Sequence, residues 1–512
     1  MTRRLLLTLL TAFAMLAGHA FAQDVPGTPV DLQPPTAGSN LPDLGSPAEM
    51  ALSHTDEYRL GAMVARELRD QNALIEDPEV CEYIQSVGQR LASQSDMGGE
   101  FFHYLVLKDT SINSFAVSGG FVFIFTGLIL ASGTESELAA VMAHETAHIT
   151  QHHIARQFRN QSQQSITTAA AILAAILLGA IGGGQAAEGG IAAATGLAAQ
   201  QQINFSRDNE AEADRVGIGY LAGAGYDPNA MASMFENLSR HEGLVETYIP
   251  AMLIDHPVTT DRLAEARSRA AQFPPRKGQD SLTFALIRER VRVLTATADQ
   301  NMVQLYEQKI ARGEDNLENH YGEALALLNS NRADEAVKIL TPLVHEHEGL
   351  TLLHAALGQA EARAGHVSDA LSTFQHALRL FPRNVPISVH YAETLMSAGR
   401  PAQAHDVLLE LFNIVPPTPD QIRLTALAAS AAGDPGDAYF YMGEYQIAGG
   451  DLNLAAQQLQ LALAAPNISQ IQRQRYQARL DEVREYLAST RKHQLSDNNG
   501  DDHPASGRHG GH

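Results

Sequence analysis

The sequence predicts a mainly α-helical protein in two parts, an α+β domain with a small β-sheet followed by an α-solenoid of helical repeats. Three observations carry this. Apolar residues recur at helical spacing over most of the chain, and the composition leans on Ala and Leu with no Trp, which favours helices. The exceptions are the β-rich apolar stretches Phe101 to Lys108 and Asn113 to Leu128. Further on, Asn331, Gly365, Gly399 and Gly433 stand 34 residues apart, as do Ala336, Ala370, Ala404 and Ala438. At 512 residues the chain is too long for one core, and its length suggests roughly two to four domains.

The N-terminus carries Arg3 and Arg4, an apolar run from Leu5 to about Leu16, and Ala20-Phe21-Ala22 before Gln23. Residues 1–22 therefore read as a secretory signal peptide. A lipoprotein needs a Cys at the cut, and the sole cysteine is Cys81, which also excludes an internal disulfide. The expectation is a soluble or peripherally membrane-associated protein of the periplasm, with no spanning segment after cleavage. A formal charge of -22 argues against a nucleic-acid partner and against charge-driven binding to anionic lipid. Residues 23–47, rich in Pro, Gly, Asp and Ser, read as a flexible lead.

Residues 48–95 show helical spacing at Leu60, Met63, Val64 and Leu68, then at Val80, Tyr83, Ile84, Val87 and Leu91, and predict two helices packed on the helix that follows the strands. Ser118-Gly119-Gly120 splits two strand-like runs and predicts a hairpin or small antiparallel sheet. Thr134 with Glu137 reads as a capping box opening a helix. That helix carries His144-Glu145-Thr146-Ala147-His148, an H-E-x-x-H pattern. Two histidines four apart share a helix face, so both imidazoles can reach one metal ion while Glu145 addresses what the metal holds. Zinc is the natural occupant, one Zn2+ per chain. The bland alternative is a surface helix with two satisfied histidines.

Residues 157–202 read as a mobile helical pair, either two buried Ala-rich helices or a lid or membrane-facing flap over the cleft. Their apolar run falls short of the ~20 residues a membrane span needs. The next helix opens around Asn204 and ends at the breakers Gly223 and Gly225. On it Glu210 and Asp214 share a face. Two His plus one carboxylate leave the fourth zinc position to water, the arrangement of a catalytic site, and Asp214 can accept the remaining ring N–H of a ligand histidine. Glu212 competes with Glu210 for the ligand role. His152 lies about 6 Å further along a straight helix from the preceding ligand, and no Gly supplies a break, so His152 and His153 read as supporting or surface residues. His256, before Pro257, sits in a loop.

Composition shifts at Phe273-Pro274-Pro275-Arg276-Lys277-Gly278. The chain thus divides into 48–273, a helical connector 274–315, repeats over 316–490, and a disordered tail 491–512 whose His503, His509 and His512 are solvated. Leu357-Gly358, Ala370, Phe374, Ala377 and Pro382 resemble the tetratricopeptide pattern, with small residues where helices cross. Gly443, Ala455, Leu459 and Ala462 fit it half a repeat out of step after a frame shift near Gly433. About four repeats and a terminal helix near Gln470 to Leu487 follow, an array that presents a concave groove to peptide or partner segments.

The H-E-x-x-H helix, the Glu210-Ala-Glu-Ala-Asp214 helix after a long insertion, and Asn113-Ser-Phe-Ala-Val-x-Gly-Gly before the metal helix together resemble the gluzincin metallopeptidases that include the CAAX prenyl protease and the HtpX-type heat-shock protease. The resemblance implies a zincin-like fold, Glu210 as third zinc ligand, and the Gly-Gly strand as an edge that pairs with substrate. In exported members with a repeat domain, it implies that His256 occupies the fourth zinc position in a resting state. It further implies quality control of outer-membrane β-barrel proteins and contact of the repeats with the barrel-assembly machinery. The mechanism expected is zinc activation of water with Glu145 as general base and acid, Asp214 supporting, and Arg207 and His256 as weak oxyanion candidates. The competing expectation is a periplasmic chaperone or scaffold whose metal site is vestigial.

Overall fold

The computed structural model describes residues 54–97, 101–153, 207–242, 252, 256–274 and 281–498. The expectations for residues 1–47, for 157–202 and for the tail histidines lie outside them. The first elements are α1 (His54–Asp70), β1 (Leu74–Ile75), α2 (Pro78–Ala92), β2 (His103–Leu107), β3 (Ser114–Val117), β4 (Phe121–Phe125), the short α3 (Thr126–Ala131) and α4 (Glu135–Thr150). β3 and β4 form the predicted hairpin, with Val117 opposite Phe121. The sheet is not purely antiparallel, however, because β4 pairs parallel to β2 and the order is β1-β2-β4-β3. The chain leaves β2, runs to the outer edge as β3, and returns as β4 between its two neighbours.

β4 explains its own composition. Every residue of Phe121-Val122-Phe123-Ile124-Phe125 is buried, because both faces of the sheet are covered. Side chains alternate across a strand, so Phe121, Phe123 and Phe125 pack with Leu60, Val64 and Leu68 of α1, while Val122 and Ile124 join the core under α2 and α4. Only one of the two predicted N-terminal helices therefore rests on α4. α2 does so, and α1 lies across the opposite face of the sheet.

Beyond α4 come α5 (Arg207–Ala224), α6 (Ala230–Glu242) and α7 (Thr260–Ala270). α4 and α5 pack tightly because position 217 is glycine. A Cβ there lies 3.2 Å from the backbone of Ala143 and His144, so a side chain would push the helices apart. The connector forms α8 (Leu282–Leu294) and α9 (Met302–Ala311), and the repeat helices are α10 (Leu317–Asn329), α11 (Ala333–Glu346), α12 (Thr351–Arg363), α13 (Val367–Leu380), α14 (Val385–Ser397), α15 (Pro401–Phe412), α16 (Pro419–Ala432), α17 (Pro435–Ala448), α18 (Leu452–Ala464) and α19 (Gln470–Asn498). The 34-residue period marks the turns. Asn331, Gly365, Gly399 and Gly433 all have left-handed φ, from 57° to 84°, the conformation that ends one helix and starts its mate and that favours Gly or Asn. Ala336, Ala370 and Ala404 are fully buried, whereas Ala438 is only half-buried. The frame shift accounts for this: Gly443 faces Leu459 across α17 and α18 as Gly358 faces Phe374 across α12 and α13. The last helix runs to Asn498, into the stretch read as tail.

The repeats fold back on the α+β part. Glu79, at the start of α2, is 3% exposed and accepts from Arg290 of α8 (2.8 Å), Gln359 of α12 (2.9 Å) and His390 of α14 (3.2 Å). Arg290 also clasps Asp77 with two contacts of 2.7 Å. On the other side, Arg66 of α1 reaches the Gly449 carbonyl at 3.4 Å. No helix among the described residues is long and apolar enough to cross a membrane.

Candidate metal centre

α4 begins where Thr134 accepts from the Glu137 amide at 3.1 Å. The reciprocal bond differs from a capping box, since the Glu137 carboxylate takes the Gly133 N–H (2.8 Å) and is held by Ser233 of α6. From Glu137 to Ile149 the helix is buried all round, which places its two histidines inside the protein. His144 Nε2 and His148 Nε2 stand 3.0 Å apart. Glu210, brought in by α5, sets Oε1 3.3 Å from His148 Nε2 and Oε2 3.5 Å from His144 Nε2. His256 closes the group, its Nδ1 2.9 Å from Glu210 Oε1 and 3.4 Å from His144 Nε2.

These separations are close to those of donors gathered around one small cation. Four N/O donors about 2.0–2.1 Å from one centre stand about 3.3 Å from each other, and the observed separations run from 2.9 to 3.5 Å. His144, His148, Glu210 and His256 are the group of metal-competent side chains found among the described residues, and all four are buried. Three imidazoles and a carboxylate in that geometry fit a divalent transition metal.

Around this group lies a supporting layer. His144 Nδ1 faces Asp214 Oδ1 at 2.9 Å. Asp214 is gripped in turn by Arg262 of α7, through Nε (2.7 Å) and Nη2 (2.8 Å), and Arg262 Nη1 reaches Glu210 Oε2 (2.9 Å) and the Pro257 carbonyl (2.8 Å). Glu145 is fully buried. Its Oε1 accepts from Ser114 Oγ of β3 at 2.7 Å, and its Oε2 has no hydrogen-bond partner among the described residues. β3 is one of the two edge strands of the sheet, the one beside α4.

The charges follow from these contacts. Burial opposes charge on His144, but Asp214 and Glu210 outweigh it and raise the group to about 10. Burial holds His148 well below the ordinary imidazole value. Burial would lift Glu210 and Asp214, yet the histidines and Arg262 hold both carboxylates down. Burial is likewise outweighed at His256, which Glu210 raises. Protons on His144 and His256 thus compete with a cation for the same lone pairs.

Glu212, the rival of Glu210, is outside the donor group and sits 3.2 Å from His153 Nε2. His152 does break the helix although it is not Gly: its φ is 53°, α4 stops at Thr150, and the chain turns so that the buried His153 lies back on His148 with Nδ1 atoms 3.0 Å apart. Arg207 is exposed at the start of α5. Sequence reasoning missed Arg262 and Ser114. Thr259 caps α7 by accepting from the Arg262 amide, so a helix start shortly after His256 was the available hint for the first. Ser114 carried no signal apart from its place in the strand.

Residues 78–270 match peptidase family M48, and residues 361–430 match a tetratricopeptide repeat. The beta-barrel assembly-enhancing protease of Escherichia coli (strain K12) is 31% identical over 454 residues, spanning 88% of this chain and 92% of that protein. The chain belongs to peptidase family M48. A Vibrio cholerae relative of the same designation is 33% identical over 452 residues, 86% of this chain and 92% of its own. The mitochondrial metalloendopeptidase OMA1 of Schizosaccharomyces pombe is 30% identical over 190 residues, 35% of this chain and 50% of that protein. This M48 chain is a metallopeptidase followed by tetratricopeptide-like helical repeats, and the buried His/Glu group lies within the matched region.

Proposed function

We propose that this chain is an exported, periplasmic zinc endopeptidase and chaperone-like quality-control factor that acts on outer-membrane β-barrel proteins or their assembly machinery. Residues 48–273 form its peptidase domain, 274–315 the connector, and 316–490 the repeats that contact the assembly machinery. The observation that carries the enzymatic part is the convergence of His144, His148 and Glu210 beside the buried Glu145, whose Oε2 has no hydrogen-bond partner among the described residues. The named target of the relatives motivates the cellular part.

His144, His148 and Glu210 would hold the zinc. When bound, zinc supplies Lewis-acid polarisation of the scissile carbonyl and activation of water. Glu145 takes the proton from the attacking water and later delivers it to the leaving amine, a transfer that needs hydrogen-bond distance and a fixed carboxylate. Ser114 fixes it from β3, and the outer edge of β3, which has no partner strand among the described residues, pairs with an extended substrate backbone. Asp214, held by Arg262, keeps the His144 ring oriented. His256, with Nδ1 among the donors, would be the resting fourth ligand, one that substrate or a partner would have to displace.

Glu145→Gln keeps the shape and removes the base. The purified variant is expected to retain one zinc per chain and to lose cleavage of a denatured outer-membrane protein. Cleavage at the wild-type rate overturns the mechanism, and full rescue of a deletion strain by the inactive variant favours a scaffold over an enzyme.

A further inference from the structure

His144 and His148 are anchored in different ways. His144 turns its outer nitrogen to a carboxylate, Asp214 Oδ1, at 2.9 Å. His148 turns its outer nitrogen to another imidazole, with His153 Nδ1 3.0 Å from His148 Nδ1, and the far nitrogen of that ring, Nε2, lies 3.2 Å from Glu212 Oε2. His148 and His153 are fully buried, while the Glu212 side chain is 31% exposed and meets Arg215 at 3.2 Å. The row Glu212, His153, His148 thus runs from the surface of α5 to the metal donors. None of the roles assigned above uses its first two members.

We propose that Glu212 and His153 are positioning residues that set the tautomer of His148 and so prepare its Nε2 to bind the metal. The inference rests on the zinc reading of the site given above. Its logic is a chain of hydrogen bonds in which each ring offers one N–H and one lone pair. A carboxylate only accepts, so Glu212 fixes the hydrogen of His153 on Nε2. His153 Nδ1 is then a lone pair and accepts from His148 Nδ1–H. The hydrogen of His148 being there, its Nε2 presents a lone pair to the point shared with His144 Nε2 and Glu210 Oε1, 3.0 and 3.3 Å away. The opposite setting places an N–H of His148 among the metal donors and a lone pair of His153 against the Glu212 carboxylate, unfavourable at both ends. The left-handed turn at His152 is what makes the relay reachable, because it brings His153 back over the last turn of α4.

Supporting partners of this kind typically change metal affinity about 10- to 100-fold. The test is the zinc dissociation constant of the full chain, measured by competition with a chromophoric chelator, alongside the thermal melting of the metal-free protein. His153→Leu removes the acceptor and is expected to weaken zinc binding by roughly that factor. Glu212→Ala, on a partly exposed side chain that tolerates truncation, is expected to weaken it in the same direction with metal-free melting unchanged. His153→Asn, which keeps an acceptor for the His148 N–H, is expected to recover most of the loss. Wild-type zinc affinity in both His153→Leu and Glu212→Ala overturns the relay while leaving the zinc site intact. A wild-type chain that binds no zinc overturns the zinc reading itself. A loss in His153→Leu that Asn does not recover and Glu212→Ala does not share makes His153 mere packing and also overturns the relay.

Discussion

Glu79→Gln tests how the repeats are held to the peptidase part. Both carboxylate oxygens face donors: Oε1 takes Gln359 Nε2 (2.9 Å) and His390 Nε2 (3.2 Å), and Oε2 takes Arg290 Nη2 (2.8 Å) and His390 Nε2 (3.2 Å). Glutamine fills the same volume, so no cavity forms, but its NH2 must point at a donor whichever way the amide turns. Removing one member of a buried ionic network costs about 3–5 kcal/mol. Arg290 keeps Asp77, through two 2.7 Å contacts, so the lower end of that range, about 3 kcal/mol, applies here. Hydrogen–deuterium exchange across α2 and α14 reads this locally, and about 3 kcal/mol corresponds to roughly a hundredfold faster exchange if opening the junction exposes both helices. Exchange in α14 indistinguishable from wild type would refute the idea that this cluster fastens the two parts.

The same junction gives a pH dependence. Burial opposes charge on His390, but Glu79 and Glu393 raise it to about 10, so its contribution is complete below the unfolded value near 6.5 and is lost as pH rises through about 10. Burial would raise Glu79, yet Arg290 and His390 lower it to about 2, so its contribution is complete above about 4.5 and is lost as pH falls towards 2. Protection of α14 is therefore expected to be greatest at about pH 4.5–6.5, and a maximum above pH 9 contradicts the assignment. His256→Ala is expected to raise basal peptidase activity with zinc retained, and an equal or lower rate counts against the resting-ligand role. Gly217→Ala places a Cβ 3.2 Å from the backbone of α4, which cannot swing aside as a side chain can. Overpacking of about 1–3 kcal/mol and weaker zinc binding are expected, and unchanged affinity shows that α5 can shift without moving Glu210.

Most of the metal group was legible because its residue types are constrained by helix geometry. His144 and His148 share a face through their four-residue spacing and Glu210 and Asp214 through theirs, whereas the choice of Glu210 over Glu212 and the place of His256 came from the family resemblance. What local pattern could not show is contact between segments distant in the chain. Arg262 is a basic residue in a polar helix, and nothing local says that it reaches Asp214, 48 positions earlier. His153 was read through a straight helix because no Gly marked a break, and the left-handed residue that redirects it was His152, one of the few non-glycine types enriched in that conformation. The solenoid turns were visible in the 34-residue spacing, since each needs the same backbone conformation. The parallel pairing of β2 with β4 was not, because alternation and turn residues report strands and hairpins but not the order in which strands meet.

The central claim is a zinc held by His144, His148 and Glu210 within reach of Glu145. Anomalous-difference crystallography of the zinc-loaded chain at the zinc absorption edge tests it most directly. One strong peak is expected about 2.0–2.2 Å from His144 Nε2, His148 Nε2 and a Glu210 oxygen, with His256 Nδ1 as fourth neighbour in the resting protein. A peak bound by Glu212 in place of Glu210, or no ordered zinc between the two helices, would contradict it.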